Sequence, residues 1–306
     1  MSDSYQVFFR TSRGGSGIEY KTARAEFLSV FGSQRVKPML ELPSRMRMDA
    51  VITGLSPEEI SHRAEKLGYT RGILSVHEEP YLGEELHARH TGRWVVGWMR
   101  KRDRKIHLTE IYRQNEEELL QGAPHRRVFL IERDGAVKEA KGHRYHRGLS
   151  PADARFMLNI AELRGDEVIL DPFAGIGGIV VECITRNLKI FAADIDPMLR
   201  PGIARISQNR CVIADARQLP FKDRLFDAVI TEPPFNTRYR QAVMGSIGEL
   251  RRVVRDKIIL LIARDMHEVI MSYVAGSGFR LISDFALRRQ GGLVSHVLRF
   301  DRSESI

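Results

Sequence analysis

Val168-Ile169-Leu170-Asp171-Pro172-Phe173-Ala174-Gly175-Ile176-Gly177-Gly178 reads as a buried strand that breaks into a glycine turn and then a helix. The apolar run is too short for a helix and ends at Asp171, while Gly175, Gly177 and Gly178 let the backbone turn tightly and approach a ligand. The helix that follows, over about 179–186, would aim its free N–H groups at that ligand, as open parallel sheets do at the carboxyl ends of their strands. Working outward, three more strand-end signals follow in order. Lys189 to Asp194 is a short apolar strand ending in a carboxylate, where such folds hold a ribose diol. Arg210 to Asp215 repeats it, with Asp215 placed to accept from an adenine amino group. Phe226 to Thr231 is a fourth strand, and it runs into Glu232-Pro233-Pro234-Phe235. Taken singly, Asp171 is equally a turn cap, Asp194 and Asp196 ordinary strand-end polar residues, and Asp215 a helix start; it is the ordered set that points to a nucleotide-like cofactor.

As a set, these motifs make residues 150–301 resemble a class I S-adenosylmethionine-dependent methyltransferase. The loop after the fourth strand is similar to that of the subgroup that methylates exocyclic amino groups of bases, usually Asp or Asn, Pro, Pro, then Tyr or Phe. With His146-Arg147-Gly148-Leu149-Ser150-Pro151 ahead of the glycine turn, the chain resembles the archaeal and eukaryotic tRNA guanosine N2-methyltransferases. The resemblance implies an α/β doubly wound sheet, mostly parallel with an antiparallel last strand. It implies S-adenosylmethionine held by Asp171, Phe173, Gly175, Gly177, Asp194, Asp215 and Ala216. It makes the Glu232 carboxylate and the Pro233 carbonyl the acceptors for the target amine, with Phe235 stacking on the base and Pro234 stiffening the loop. Two departures stand out. Glu232 replaces Asp or Asn, moving the acceptor by about one bond length in a site where small displacements cost rate, and Asn236 replaces the usual following glycine. The same loop would serve an adenine-N6 or cytosine-N4 enzyme on DNA or rRNA, and a methyltransferase-like RNA-binding protein with weakened catalysis is a third reading. A cytosine-C5 enzyme is disfavoured, because neither Cys183 nor Cys211 sits beside a proline as its nucleophile requires.

With 306 residues, 43% of them hydrophobic, the chain can fill two cores. No basic start followed by an apolar segment opens it and no apolar run approaches a membrane span, so a cytosolic protein is expected. The two cysteines lack metal-ligand spacing, and no metal is expected. The formal charge of +9 is concentrated at Arg93, Arg100-Lys101-Arg102, Arg104-Lys105, Arg126-Arg127 and His143-Arg144-Tyr145-His146-Arg147. That clustering ahead of the catalytic half favours RNA, tRNA by the resemblance, over a merely solvated face. A small activating subunit is compatible with the sequence.

The amino-terminal 77 residues predict β-α-β-β-α-β, a ferredoxin-like module, with strands at Tyr5 to Arg10, Arg35 to Leu42, Arg47 to Thr53 and Gly72 to Val76. Helices are expected over 19–31, stopped by Gly32, and from Pro57 to Gly68, opened by a capping box at Ser56. Residues 78–149 form an α+β linker or RNA-binding region where the family carries a THUMP domain, without a convincing match to one. Hairpins are expected at Arg93 to Arg100 with Lys105 to Tyr112, and at Arg127 to Lys138 through Asp134-Gly135, with a short helix at Asn115 to Gln121 between them. Trp94 and Trp98 on one strand face read as core rather than base-stacking residues. Residues 150–306 are the catalytic domain. It starts with a helix at Ser150 lying over the first strand and closes with a hairpin from Phe279 to Leu287 and Leu293 to Phe300.

Overall fold

The computed structural model describes residues 3–9, 18–77, 87–90, 93–96, 98–100, 129–131, 137–139, 149–274, 277–289 and 293–303. They divide into two compact units, Met1–Arg13 with Gly17–Arg126 and Gly14–Ser16 with Arg127–Ile306.

In the first unit β1 (Asp3–Phe9) alternates, so Tyr5, Val7 and Phe9 are buried on one face. Helix α1 (Tyr20–Phe31) places Ala23, Phe27 and Phe31 on one stripe at four-residue spacing, with the Phe27 and Phe31 rings stacked at 4.4 Å. Gly32 ends it at φ +86°, donating its N–H back to Leu28 O at 2.8 Å. Strand β2 (Val36–Leu42) turns at Pro43–Arg45 into β3 (Arg47–Ile52). Helix α2 (Pro57–Ala64) opens with the expected capping box. Ser56 N–H donates to Glu59 Oε2 at 2.7 Å and Glu59 N–H to Ser56 Oγ at 3.3 Å. With β4 (Thr70–His77) the antiparallel order is β2-β3-β1-β4, the split β-α-β arrangement expected from the sequence.

Helix α2 stops at Ala64 instead of reaching Gly68, and Glu26 is the reason. This fully buried carboxylate on α1 accepts from the Gly68 and Tyr69 N–H groups, both at 2.7 Å, and pulls the chain out of helical geometry. Strands β5 (His87–His90), β6 (Arg93–Val96) and β7 (Trp98–Arg100) extend the sheet. β6 pairs with β5, and β7 runs parallel to β4. The partner expected for this segment, Lys105 to Tyr112, lies outside the described residues, as do the 115–121 helix, the Asp134-Gly135 turn and the side chains of Trp94 and Trp98.

In the second unit β8 (Phe129–Ile131) and β9 (Val137–Glu139) form the expected antiparallel ladder. Helix α3 (Pro151–Ile160) is capped by Ser150, whose hydroxyl accepts from Asp153 N–H at 3.1 Å. Then follow β10 (Val168–Asp171), α4 (Gly178–Thr185), β11 (Lys189–Asp194), α5 (Arg200–Ser207), β12 (Cys211–Ile213), β13 (Phe226–Thr231), α6 (Arg240–Val253), β14 (Val254–Ala263), α7 (His267–Val274), β15 (Phe279–Arg288) and β16 (Val294–Arg302). The sheet order is β12-β11-β10-β13-β14-β16-β15. The first five strands are parallel, and β16 runs antiparallel to both its neighbours, so this is the doubly wound sheet the sequence predicts.

Strand β14 is apolar throughout Ile258–Ile262 because both of its faces are covered. Helix α3 packs against α4 and β14. Its last carbonyls explain the placement: Ile160 O accepts from buried Arg299 on β16 at 2.7 Å and Ala161 O from Lys257 on β14 at 3.0 Å. Among the described residues no helix is long and apolar enough to cross a membrane.

Because Glu26 satisfies two buried N–H groups, Glu26→Ala should destabilise the chain by about 3 kcal/mol. Urea unfolding followed by circular dichroism checks this; a loss below about 0.5 kcal/mol would show that those N–H groups find other partners.

Candidate active site

Strand order reverses direction at β10: β11 and β12 lie on one side, β13 and β14 on the other. The crevice beyond the carboxyl ends of β10 and β13 is therefore the switch point where open α/β sheets bind ligands.

Asp171, last residue of β10, is 2% exposed, and its Oδ1 accepts from the Thr231 hydroxyl on β13 at 2.6 Å and from Phe173 N–H at 3.3 Å. Burial pushes its carboxyl up to about 7; the two hydrogen bonds oppose this, and the charge of Asp194 adds to it. The turn-cap reading describes Asp171 well: it braces the floor of the crevice. Beyond it the chain turns through Gly175 at φ +50° and Gly177 at φ +82°, the latter capping α4. Gly178 is closely packed in a different way, since a Cβ there would lie 3.1 Å from Leu149 Cβ and press that side chain aside.

Asp194 at the end of β11 holds this turn. Its Oδ2 accepts from Gly175 N–H at 2.7 Å and its Oδ1 from Asp196 N–H at 2.9 Å. Each oxygen keeps a second lone pair, enough for a vicinal diol. Asp215 follows β12 and starts no helix. Its carboxylate takes Arg217 Nε at 3.0 Å and Nη2 at 2.5 Å, plus the Arg217 N–H at 2.9 Å, and these bonds hold it below the usual carboxylate range. An adenine amino group would have to share Asp215 with that guanidinium. Ala216 is buried, so only its backbone is available to a ligand, and the Phe173 side chain is half-buried. The sequence reading passed over three exposed apolar residues, Ile195, Met198 and Ile213, which lie at or just beyond the carboxyl ends of β11 and β12 and are 64%, 52% and 49% exposed. Their signal was present, as large apolar residues directly beside the strand-end acids.

The loop after β13 carries Glu232, half-buried, then buried Pro233, exposed Pro234 and Phe235, which is 40% exposed. Burial pushes the Glu232 carboxyl up to about 8; the charge of Asp153 adds to this, Arg289 opposes it, and Asp171 adds a smaller push. Asp153 in the first turn of α3 is ion-paired with Arg289 at 2.6 Å, and Arg289 Nε donates to Ser295 Oγ at 2.8 Å. This surround was invisible in the sequence because it joins residues 136 positions apart. Asn236 caps the next turn by accepting from Arg238 N–H at 3.0 Å. Arg238 lies over the exposed Tyr239 ring at 4.5 Å.

No family model matches the chain. It is 30% identical over 127 residues to the tRNA (guanine(10)-N2)-dimethyltransferase of Methanothermobacter thermautotrophicus, covering 40% of this chain and 33% of the relative. It is 27% identical over 200 residues to the U6 snRNA (guanine-N(2))-methyltransferase THUMPD2 of Bos taurus, covering 61% of this chain and 36% of the relative. The chain thus spans about a third of the length of the curated relatives it matches. The crystal structure of TrmN from Thermus thermophilus aligns with a TM-score of 0.49 at 14% identity, over 98% of this chain and 99% of that one.

The raised Glu232 value makes a stability statement. A carboxyl at 4.5 when unfolded and about 8 when folded supports the fold below pH 4.5 and loses that support as pH rises towards 8. Glu232→Gln, which does not ionise, should therefore gain melting temperature relative to wild type between pH 5 and pH 8. Melting curves across that range test it; a difference that stays constant with pH would show that Glu232 is not desolvated.

Proposed function

We propose that the chain binds S-adenosylmethionine in the crevice beyond β10 and transfers its methyl group to the N2 amine of a guanosine in RNA, with tRNA the first substrate to test. The observation that carries this reading is the position of Glu232-Pro233-Pro234-Phe235. The loop opens directly from β13, whose neighbour β10 runs into the glycine turn, so amine acceptor and cofactor cradle share one crevice. The cradle fits the cofactor: positive-φ glycines open the turn, Asp194 has lone pairs for a ribose diol, and Ile195, Met198 and Ile213 offer exposed apolar surface for a purine. Guanine in RNA, rather than adenine or cytosine in DNA, is supported by the names of the relatives to which the chain is similar.

When bound, S-adenosylmethionine supplies a methyl group on a sulfonium that needs little chemical activation. The chain's task is alignment. Phe235 gives an exposed ring for the base to stack on, and Pro233 and Pro234 restrict the backbone that carries it. The guanine amino lone pair is delocalised into the ring. Ionised Glu232 accepting from one N–H, with the Pro233 carbonyl accepting from the other, favours the pyramidal nitrogen that attack requires. Glu232 ionises more readily once a cation lies beside it, which offsets part of its upward shift. Transfer should accordingly speed up as pH rises from about 6 to 8. The basic segments ahead of residue 150 are proposed to hold the RNA phosphates, with an affinity that falls steeply with salt, and the protein is proposed to act in the cytosol.

One observation favours weakened catalysis instead: a carboxyl pushed up to about 8 is largely protonated at neutral pH. The test is to incubate the full chain with tritiated S-adenosylmethionine and unmodified tRNA, digest the RNA and identify the labelled nucleoside. N2-methylguanosine is the expected product, and Glu232→Ala should lower kcat at least 100-fold while leaving S-adenosylmethionine affinity unchanged. Labelled N6-methyladenosine or N4-methylcytidine would move the assignment to the other amino-group enzymes. No label on any RNA, with activity appearing in Glu232→Asp, would make the protein a binding module on this scaffold.

A further inference from the structure

Three ligand-type side chains from three separate elements meet outside the residues of the crevice. His267 is the first residue of α7, Asp284 lies in β15 and His296 in β16. His267 Nε2 is 2.7 Å from Asp284 Oδ2, and His296 Nδ1 is 2.7 Å from Asp284 Oδ1. The two imidazole centroids are 4.3 Å apart, and the three donor atoms all lie within 4.8 Å of one another. Register explains half of this meeting. Ala286 pairs with His296 and Asp284 with Leu298, so Asp284 and His296 are diagonal neighbours on one face of the closing hairpin. The turn after β14 brings in His267.

We propose that His267, Asp284 and His296 form a binding site for a divalent transition-metal ion of the Zn2+ class. Two imidazoles and one carboxylate suit such ions, and three protein ligands with a fourth position for water is a common zinc arrangement. All three side chains are partly exposed, so an ion and its water can reach them. Zinc bonds of about 2.0–2.2 Å in a tetrahedron set neighbouring ligand atoms about 3.3 Å apart. The two imidazoles contact different oxygens of Asp284, so one would move toward the ligating oxygen while the other 2.7 Å contact opens by about 0.6 Å, changes made by side-chain rotation. The far nitrogen of His267, Nδ1, is 3.5 Å from Glu268 Oε1. With an ion on Nε2, the ring proton would sit on Nδ1, on the side of that carboxylate. Without an ion the cluster is held by imidazole protons donated to Asp284. Binding would shift each ring proton to the imidazole nitrogen away from the ion and tie the start of α7 to the closing hairpin.

The full chain, stripped with chelator and titrated with Zn2+ by calorimetry, should take up one equivalent and melt at a higher temperature. Co2+ in its place should give visible absorption bands of a four-coordinate nitrogen and oxygen site. Asp284→Asn keeps shape and hydrogen-bonding capacity and should weaken Zn2+ at least tenfold with an unchanged circular dichroism spectrum. His296→Gln should do the same, and it serves as the test if Asp284→Asn does not fold. No saturable uptake by the folded wild type, or affinity retained in both variants, would overturn the proposal and leave the cluster a hydrogen-bonded brace.

Discussion

The Asp171 carboxylate accepting from the Thr231 hydroxyl at 2.6 Å is the contact on which the crevice depends. It joins the last residues of β10 and β13, the strands from which cofactor turn and acceptor loop depart. Both partners are buried, so the bond is sheltered from competing water. Asp194 repeats the device one strand over by gripping Gly175 N–H, and it thereby fixes how far the glycine turn stands from the end of β11. A glycine turn alone would be pliable; two strand-end carboxylates give it one shape. Preorganisation of this kind is what a methyl-transfer site has to offer, since its chemistry is mainly alignment.

Charge density is the other constraint. Asp153 and Asp171 lie close enough to push the ionisation of Glu232 upward, and Arg289 is the cation that offsets them. Crowded carboxylates beside a crevice are costly in an empty protein and less so beside a cation, so a positively charged donor suits this site electrostatically. The longer side chain of Glu232 belongs to the same balance. Its reach places it within the influence of Asp153 and Arg289, groups supplied by α3 and by the end of the closing hairpin.

Much of this was legible in the sequence where the signal is local. The glycine turn, the order of strand-end acids, the Ser56 and Ser150 caps and the split β-α-β module depend on residues a few positions apart, and each stands where expected. Signals failed where long-range contacts decide. Glu26 cuts α2 short across 42 positions, and Arg299 and Lys257 reach the end of α3 from β16 and β14. Arg217 is the local exception, folding back on Asp215 from two positions away by a side-chain choice that no spacing announces. The Asp153–Arg289 pair and the His267, Asp284 and His296 cluster have no motif at all, because they exist only once the closing hairpin has met the start of α3 and of α7.

Cofactor binding in this crevice is expected to depend on the grip of Asp194. Calorimetric titration of the full chain with S-adenosylmethionine, beside the same titration of Asp194→Ala, measures that. Binding by the wild type and a loss of at least tenfold in the variant, which forfeits both the diol acceptor and the anchor of Gly175, is the expected result. No binding by the folded wild type, or equal binding by the two proteins, would contradict it.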